Sequence, residues 1–335
     1  MKKILFIGGT GYIGGPILSS FIQRWTDDPT SLDITALVRS PLKVEKLRAL
    51  NLPLSVVIGS HEDAELVERL ADDADVVFSL ADSDYLPAAQ SILRGLKRRF
   101  QSTGIKPVLI HMSGIGCVAD NAQGMFTSDT IYSDTDTAQI ESLPATQPHR
   151  NVDLTIVEGD SEGYVDTYIV LPPLVHGTPR GILFDTGVQK TTNVLDLFLD
   201  VSSTRGAAPI IGPGKNIVGH VDVNELHDLV LLLYNTIIDN SSAVGHGRFG
   251  YYFTGNGELS FSEITAALEP TMGPRRELTK EELDGLSPYQ ALVMQFFGRN
   301  WRSRADRAKT LGWRPVKMTE DLFNALNTCV ENFKL

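Results

Sequence analysis

Lys2-Lys3-Ile4-Leu5-Phe6-Ile7-Gly8-Gly9-Thr10-Gly11-Tyr12-Ile13-Gly14-Gly15-Pro16 opens the chain and decides how the rest is read. The apolar run Ile4–Ile7 stops at a glycine cluster. It is too short for the apolar region of a secretory signal and suits a strand buried on both faces. Gly8, Gly11 and Gly14 then recur at intervals of three, with a helical segment behind them. Glycine tolerates the positive φ of a tight turn, and a loop without side chains lets diphosphate oxygens reach the backbone. The helix that follows directs free N–H groups and a partial positive charge at such an anion. Pro16 falls in its first turn, where a missing N–H costs little. A glycine triplet alone is a weak motif; a strand before it and a helix after it point to a dinucleotide loop. Gly8, Thr10, Gly11, Tyr12, Ile13 and Gly14 are the candidate contacts, and a glycine-rich turn without ligand is the alternative.

Outward from the loop, β-rich runs alternate with helical segments. The runs are Ile4–Ile7, Ile34–Val38, Leu54–Ile58, Val76–Leu80, Val108–His111 and Thr167–Leu171. Between them, Leu86, Ala89, Leu93, Leu96 and Phe100 keep helical spacing. This alternation predicts an α/β fold, a Rossmann-type doubly wound parallel sheet with a smaller C-terminal substrate-binding region. Pro172-Pro173 and Gly177-Thr178-Pro179 interrupt the pattern, residues 206–219 read as loop, and Val223, Leu226, Val230, Leu233 and Ile237 mark a helix. The expected division is a dinucleotide-binding domain over 1–175 and a substrate-binding region over 176–335, with the segment near 219–238 returning to pack on the first.

The bulk properties narrow the partners. The 335 residues carry a formal charge of -11, which speaks against a nucleic-acid partner. Cys117 and Cys329 are too few for a disulfide framework or a metal cluster, and no histidines pair at ligand spacing, so no metal is expected. No apolar run approaches the length of a membrane span. The expectation is a cytoplasmic protein, monomer or homodimer, with a small-molecule substrate and no membrane partner.

The end of the second strand meets the adenosine ribose in such folds, and an acid there favours NAD. This chain has Val38-Arg39-Ser40-Pro41-Leu42-Lys43 instead. Arg39 suits a 2′-phosphate, Ser40 can cap the next helix with Pro41 at its first position, and Lys43 adds charge one turn on. NADP(H) is therefore expected over NAD(H). The alternative is a solvated Arg39 and a Ser40 that only caps.

In order, these motifs resemble the short-chain dehydrogenase/reductase superfamily, in its extended or atypical branch of epimerase/dehydratase-like and NmrA-like proteins. The Thr-Gly-x-x-Gly loop matches Thr10 to Gly14. The fourth strand and its small-residue turn match Val76-Val77-Phe78-Ser79-Leu80-Ala81, which makes Leu80 and Ala81 cofactor contacts. The fifth strand matches Ile110-His111-Met112-Ser113. Farther on, Leu171-Pro172-Pro173-Leu174-Val175-His176-Gly177, His220-Val221-Asp222-Val223 and Leu311-Gly312-Trp313-Arg314-Pro315 resemble later family segments. The family's catalytic Tyr-x-x-x-Lys pair is missing. Counting back from Pro172 puts Thr146 at the tyrosine position and Arg150 at the lysine position. Arg150 can hold a ribose or phosphate, but a threonine cannot replace a phenol near neutral pH.

Other side chains must then supply the chemistry. Ser113 can bond a substrate oxygen or merely cap a turn. Tyr132, in an acidic loop segment with Asp134 and Asp136, can enter the pocket or pack at the surface. His149 can act as acid or base, or simply start a helix. His176, where the family often has tyrosine, can donate a proton, whereas His111 and His220 sit in apolar strand-like contexts and read as structural. Met112, Met125 and Phe126 read as packing, and Arg180 and Lys215 as surface charges or anchors for an acidic group. The first functional expectation is an NADP(H)-dependent oxidoreductase of atypical active site. The alternatives are a non-redox lyase, isomerase or cyclase on the same fold, and a non-enzymatic NADP(H) sensor that binds a protein partner.

Overall fold

The computed structural model describes residues 1–190, 194–240, 242 and 244–333. The first half runs β1 (Lys2–Ile7), α1 (Gly14–Asp27), β2 (Leu32–Val38), α2 (Pro41–Ala49), β3 (Ser55–Ile58), α3 (Ala64–Asp72), β4 (Val76–Ser79), α4 (Leu86–Thr103) and β5 (Val108–Met112). Then come β6 (Tyr132–Ser133), α5 (Thr137–Glu141), α6 (Arg150–Ser161), β7 (Asp166–Leu171), β8 (Leu174–His176), α7 (Ile182–Asp185), α8 (Val194–Arg205) and β9 (Ala208–Ile210). Past these lie β10 (Ile217–Asp222), α9 (Val223–Asn240), β11 (Tyr251–Phe253), β12 (Glu258–Ser260), α10 (Phe261–Met272) and β13 (Arg275–Glu277). The chain closes with α11 (Lys280–Asp284), α12 (Pro288–Phe296), β14 (Ser303–Arg304), α13 (Asp306–Leu311) and α14 (Thr319–Phe333).

The expected doubly wound sheet is present. Seven strands pair in the order β11-β7-β5-β4-β1-β2-β3, every neighbour parallel. Chain order reverses between β1 and β4, which opens a crevice at their C-terminal ends. Register fixes what meets there: Ile7 lies level with both Leu37 and Ser79. The residues that follow each strand, Gly8, Arg39 and Leu80, therefore emerge near one edge.

Burial on both faces explains the near-continuous apolar strands. Phe6 stacks on Phe78 with centroids 4.7 Å apart, and Phe21 of α1 meets both edge-on at 5.3 and 5.1 Å. Tyr234 of α9 adds a fourth ring 4.7 Å from Phe21, and Arg24 donates to Asn235, so α9 is fastened to α1. Residues 206–219, read as loop from their glycines and prolines, contain β9 and the start of β10. Each finds its partner far along the chain: β9 pairs with β13, and β10 with β8 and β12. Pairing that distant overrides local composition.

The short sheet β12-β10-β8 holds two of the histidines. His176 Nε2 lies 3.2 Å from His220 Nδ1, and His220 Nε2 lies 3.1 Å from the Thr319 hydroxyl. Burial is the largest cause that pushes both imidazoles down to about 4; Lys317 also disfavours charge on His176, and Asp321 opposes the shift. Both stay neutral in the folded chain, whereas unfolded histidines take a proton near 6.5. Their contribution to stability is thus complete above that value and is lost as the pH falls toward 4. We expect the thermal midpoint to drop across this interval, with a shallower drop in His176→Asn. Parallel pH profiles for the two proteins would assign the acid sensitivity elsewhere.

Candidate functional site

A cavity of about 890 Å³ lies along the C-terminal edge of the sheet. One end is the glycine loop. Gly8 has φ +91°, and a Cβ there would sit 2.6 Å from the Leu80 carbonyl carbon, so only glycine lets the ends of β1 and β4 approach. A Cβ on Gly14 would collide with the Gly8 carbonyl oxygen. Gly11 bonds back to that same oxygen at 3.0 Å and presents backbone to the cavity. Behind the loop α1 begins with no side-chain cap and no acid in its first turn; Gly15 gives its N–H to the Gly11 carbonyl at 3.0 Å and Pro16 has none, so what this helix start offers an anion is mainly its dipole.

Cations surround this end. Lys43 Nζ donates to the Thr10 carbonyl at 2.9 Å, and the backbone N–H of Lys190 donates to the same oxygen at 3.0 Å. Burial lowers the ammonium pKa of Lys43, and Lys190 and Lys46 add repulsion. Ser40 caps α2 through the Lys43 N–H, with Pro41 behind it, as its sequence suggests. Arg39 is exposed and lines the same end.

Beyond Leu80 and Ala81 the wall turns acidic, then reaches His149. This residue precedes α6 with φ +66°, in the left-handed region that is costly for a side chain of this size. Asp84 holds it there: one carboxylate oxygen accepts from the His149 backbone N–H at 3.0 Å and lies 2.9 Å from Nδ1. The Ser83 hydroxyl is 3.0 Å from the same nitrogen. The bond from His149 is the largest cause lowering the Asp84 pKa, so the partner of Nδ1 is a carboxylate, and Nδ1 carries the hydrogen. Nε2 is left facing Gly114 and Gly116 of the cavity wall; a Cβ on either would crowd it, at 2.7 and 2.9 Å.

The predicted residues divide between the cavity and the layer behind it. Gly8, Thr10, Gly11, Arg39, Ser40, Lys43, Leu80, Ala81 and His149 line the cavity. Tyr12, Ile13 and Gly14 do not: the Tyr12 hydroxyl donates to the Gly177 carbonyl at 2.6 Å, and Gly14 begins α1. Ser113 is buried one layer back, beside Asp153. Arg150 is also buried and spends its guanidinium on the Tyr251 hydroxyl at 2.6 Å and the Ile140 carbonyl at 3.1 Å. Tyr132 is half-buried in β6 and pairs with Ser303 of β14, and His176 is enclosed with His220. None of these four reaches the cavity lining.

Sequence reasoning missed Asp84, Lys190 and the whole wall of α12. Asp82-Ser83-Asp84 did follow a strand end at the crevice, and Tyr289, Leu292, Val293 and Phe296 do have helical spacing. Lys190 gave no signal, because only the fold carries it to Thr10.

No family model matches the chain. A curated relative, "Oxidase ucsJ" from Acremonium sp, is 27% identical in an alignment that covers 94% of this chain and 93% of that protein. Among solved structures, the UDP-glucose 4-epimerase of Thermotoga maritima, with UDP-glucose, superposes with TM-score 0.64 at 17% identity, over 99% of this chain and 98% of that one. The dTDP-glucose 4,6-dehydratase of Bacillus anthracis, in complex with NAD, gives TM-score 0.65 at 15% identity, over 100% and 97%. Vestitone reductase of alfalfa gives 0.61 at 13%, over 100% and 99%. The chain thus shares the fold of these epimerase and dehydratase structures, the fold that the motifs implied.

Asp153 supplies a test of the buried layer. It sits one turn along α6 from His149, and neither carboxylate oxygen has a hydrogen-bond partner of normal geometry. Burial pushes its carboxyl up to about 6, against the lowering effects of the Ser113 hydroxyl, His149 and Arg150. The folded protein therefore favours protonated Asp153, and this contribution to stability is lost as the pH rises through about 6. We expect Asp153→Asn to melt several degrees above the wild type at pH 8 and to lose that advantage at pH 4. An advantage independent of pH would contradict the assigned protonation.

Proposed function

We propose that the chain, built on the fold of the extended short-chain dehydrogenases/reductases, binds a nicotinamide dinucleotide and acts as an oxidoreductase on a small organic substrate held against His149. The Asp84–His149 pair carries this reading. It places an oriented imidazole in the cavity that the glycine loop opens, in a chain whose sequence lacks the family's tyrosine–lysine pair.

The residues present fit the cofactor. Gly8 and Gly11 offer a backbone cradle for the diphosphate, with the uncapped start of α1 behind it. Leu80 and Ala81 border the middle of the site, and Arg39, Ser40, Lys43 and Lys190 its adenosine end. We assign NADP(H) over NAD(H), because no acid follows β2 and three cations line that end. The dehydratase neighbour holds NAD, so this preference rests on the chain's own cations. The oxidase relative is consistent with redox chemistry.

When bound, the nicotinamide supplies or accepts the hydride. The protein's task is position and proton transfer. Asp84 fixes the imidazole with hydrogen on Nδ1 and Nε2 toward the substrate, and it stabilises the positive ring when Nε2 is protonated. In reduction, Nε2 gives its proton to the substrate oxygen as the carbonyl carbon is reduced. In oxidation, neutral Nε2 takes the proton from the hydroxyl oxygen.

Calorimetric titration of nucleotide-free protein with NADPH and NADH tests the cofactor. We expect NADPH to bind tighter, and Arg39→Ala to remove about tenfold of its affinity while leaving NADH nearly unchanged. Failure to bind either nucleotide would overturn the proposal. For the chemistry, His149→Ala should lower kcat by about 10²–10⁴-fold with NADPH affinity retained. Asp84→Asn should change the pH profile of kcat/KM, because it alters the partner of Nδ1. An unchanged profile would remove Asp84 from the mechanism.

A further inference from the structure

Helix α12 has two apolar faces. On one, Met294 is buried in the core. On the other, Tyr289, Leu292, Val293 and Phe296 line the cavity at spacings of three and four. Tyr289 and Leu292 are 65% and 63% exposed, unusual for large apolar side chains with a core beneath them. The helix is well anchored: Ser287 and Gln290 form a capping box, and the Gln290 amide donates to Asp200 of α8 at 2.9 Å. Its apolar stripe is therefore held open toward the cavity by a fixed support.

The surroundings share this character. Phe296 stacks on Trp301 with centroids 4.3 Å apart, and the Trp301 indole N–H is already given to the Gly219 carbonyl. Pro172, Pro173 and Leu174 also line the cavity, as do Ile115 and Pro148, which flank the glycines and the backbone beside His149. The charged side chains that line the cavity, Arg39, Lys43, Lys190, Asp82 and Asp84, come from the glycine loop side and the β4 end. Among the described residues of the apolar walls none carries a charge. A sugar diphosphate would bring two negative phosphates and several hydroxyls against walls whose side chains carry no cation and, apart from the Tyr289 hydroxyl, no hydrogen-bonding group, at high desolvation cost.

We infer that the substrate is an uncharged, largely hydrocarbon ketone or secondary alcohol, its apolar body laid along the Tyr289–Phe296 stripe and its oxygen at His149 Nε2. Seven residues of helix rise about 10 Å between the ends of that stripe, the span of two or three fused carbocycles or a medium alkyl chain. The apolar wall supplies affinity through buried area, and His149 supplies the polar contact that fixes orientation. This substrate class rests on the proposed oxidoreductase reading. It departs from the sugar nucleotide seen with the epimerase neighbour.

The test is calorimetric titration with 2-decalone, 2-decanone and UDP-glucose, each on nucleotide-free and on NADP⁺-saturated protein. At least one ketone should bind, UDP-glucose should not, and Leu292→Asp should weaken the ketone about tenfold or more. Leu292 is exposed, so the variant should fold, and retained NADP⁺ affinity would confirm that it does. Ketone binding lost in Leu292→Asp, in a protein that binds no dinucleotide, would sustain the apolar site and defeat only the cofactor reading. UDP-glucose binding at or above the ketones, binding of neither ketone, or ketone affinity unmoved by Leu292→Asp would each overturn the inference.

Discussion

The close approach of Gly8 to the backbone of Leu80 is the constraint on which the site depends. Parallel strands that follow crossovers on opposite faces of a sheet must leave a crevice where the chain order reverses. Here β1 and β4 are hydrogen-bonded neighbours up to that point, and their continuations must pass each other without a side chain between them. A positive φ at Gly8 turns the chain under Leu80 and aims the loop back toward α1. One missing Cβ thereby sets the crevice, the direction of the first helix and the position of the cations beside them.

Along the cavity the polarity changes in a fixed order. Cations gather where the loop exposes backbone, an acid–imidazole pair occupies the middle, and hydrocarbon lines the far walls. Beneath the middle lies a buried polar layer: His111, whose imidazole burial holds down to about 3, Ser113, Asp153 and Arg150. A low-dielectric floor of this kind strengthens any interaction with the imidazole above it and penalises unpaired charge within it. The layer costs stability, and two of its members, His111 and Asp153, resolve part of the cost by shifting toward their neutral forms.

What could be read from the sequence follows from range. Strand and helix periodicities are local, so β1–β5, β7 and the amphipathic segment after Tyr85 were legible to within a residue or two at most ends, whereas the two-residue β6 was not. The glycine loop was legible because Gly8, Gly11 and Gly14 lie close together between a strand and a helix, although the contacts that demand them, such as the Leu80 backbone, are distant. β11 was not, because its parallel place beside β7 is created by a crossover of some eighty residues that no local pattern records. The same holds at the site. Ser40 announced its cap, whereas Arg150 announced a charge but not its destination, which is the Tyr251 hydroxyl a hundred residues on. Counting back from Pro172 singled out Thr146 and Arg150, and the residue that faces the cavity is His149, one position away, because α6 begins there in a left-handed turn.

The segment that ends at Lys190 has a bearing on how the chain comes to be assembled. Gln189 donates its side-chain amide to the Tyr12 carbonyl at 2.9 Å, Lys190 donates its backbone N–H to Thr10, and Lys46 reaches the Gly187 carbonyl. A strap from the second half thus ties down a loop made some 180 residues earlier. At ordinary elongation rates of about 5–20 residues per second, the nascent loop waits on the order of ten seconds or more for these bonds. During that time the first strands can pair, but the crevice stays unlatched. Newly made chains should therefore acquire the latched shape of this crevice only after Lys190 has emerged, well after the glycine loop itself.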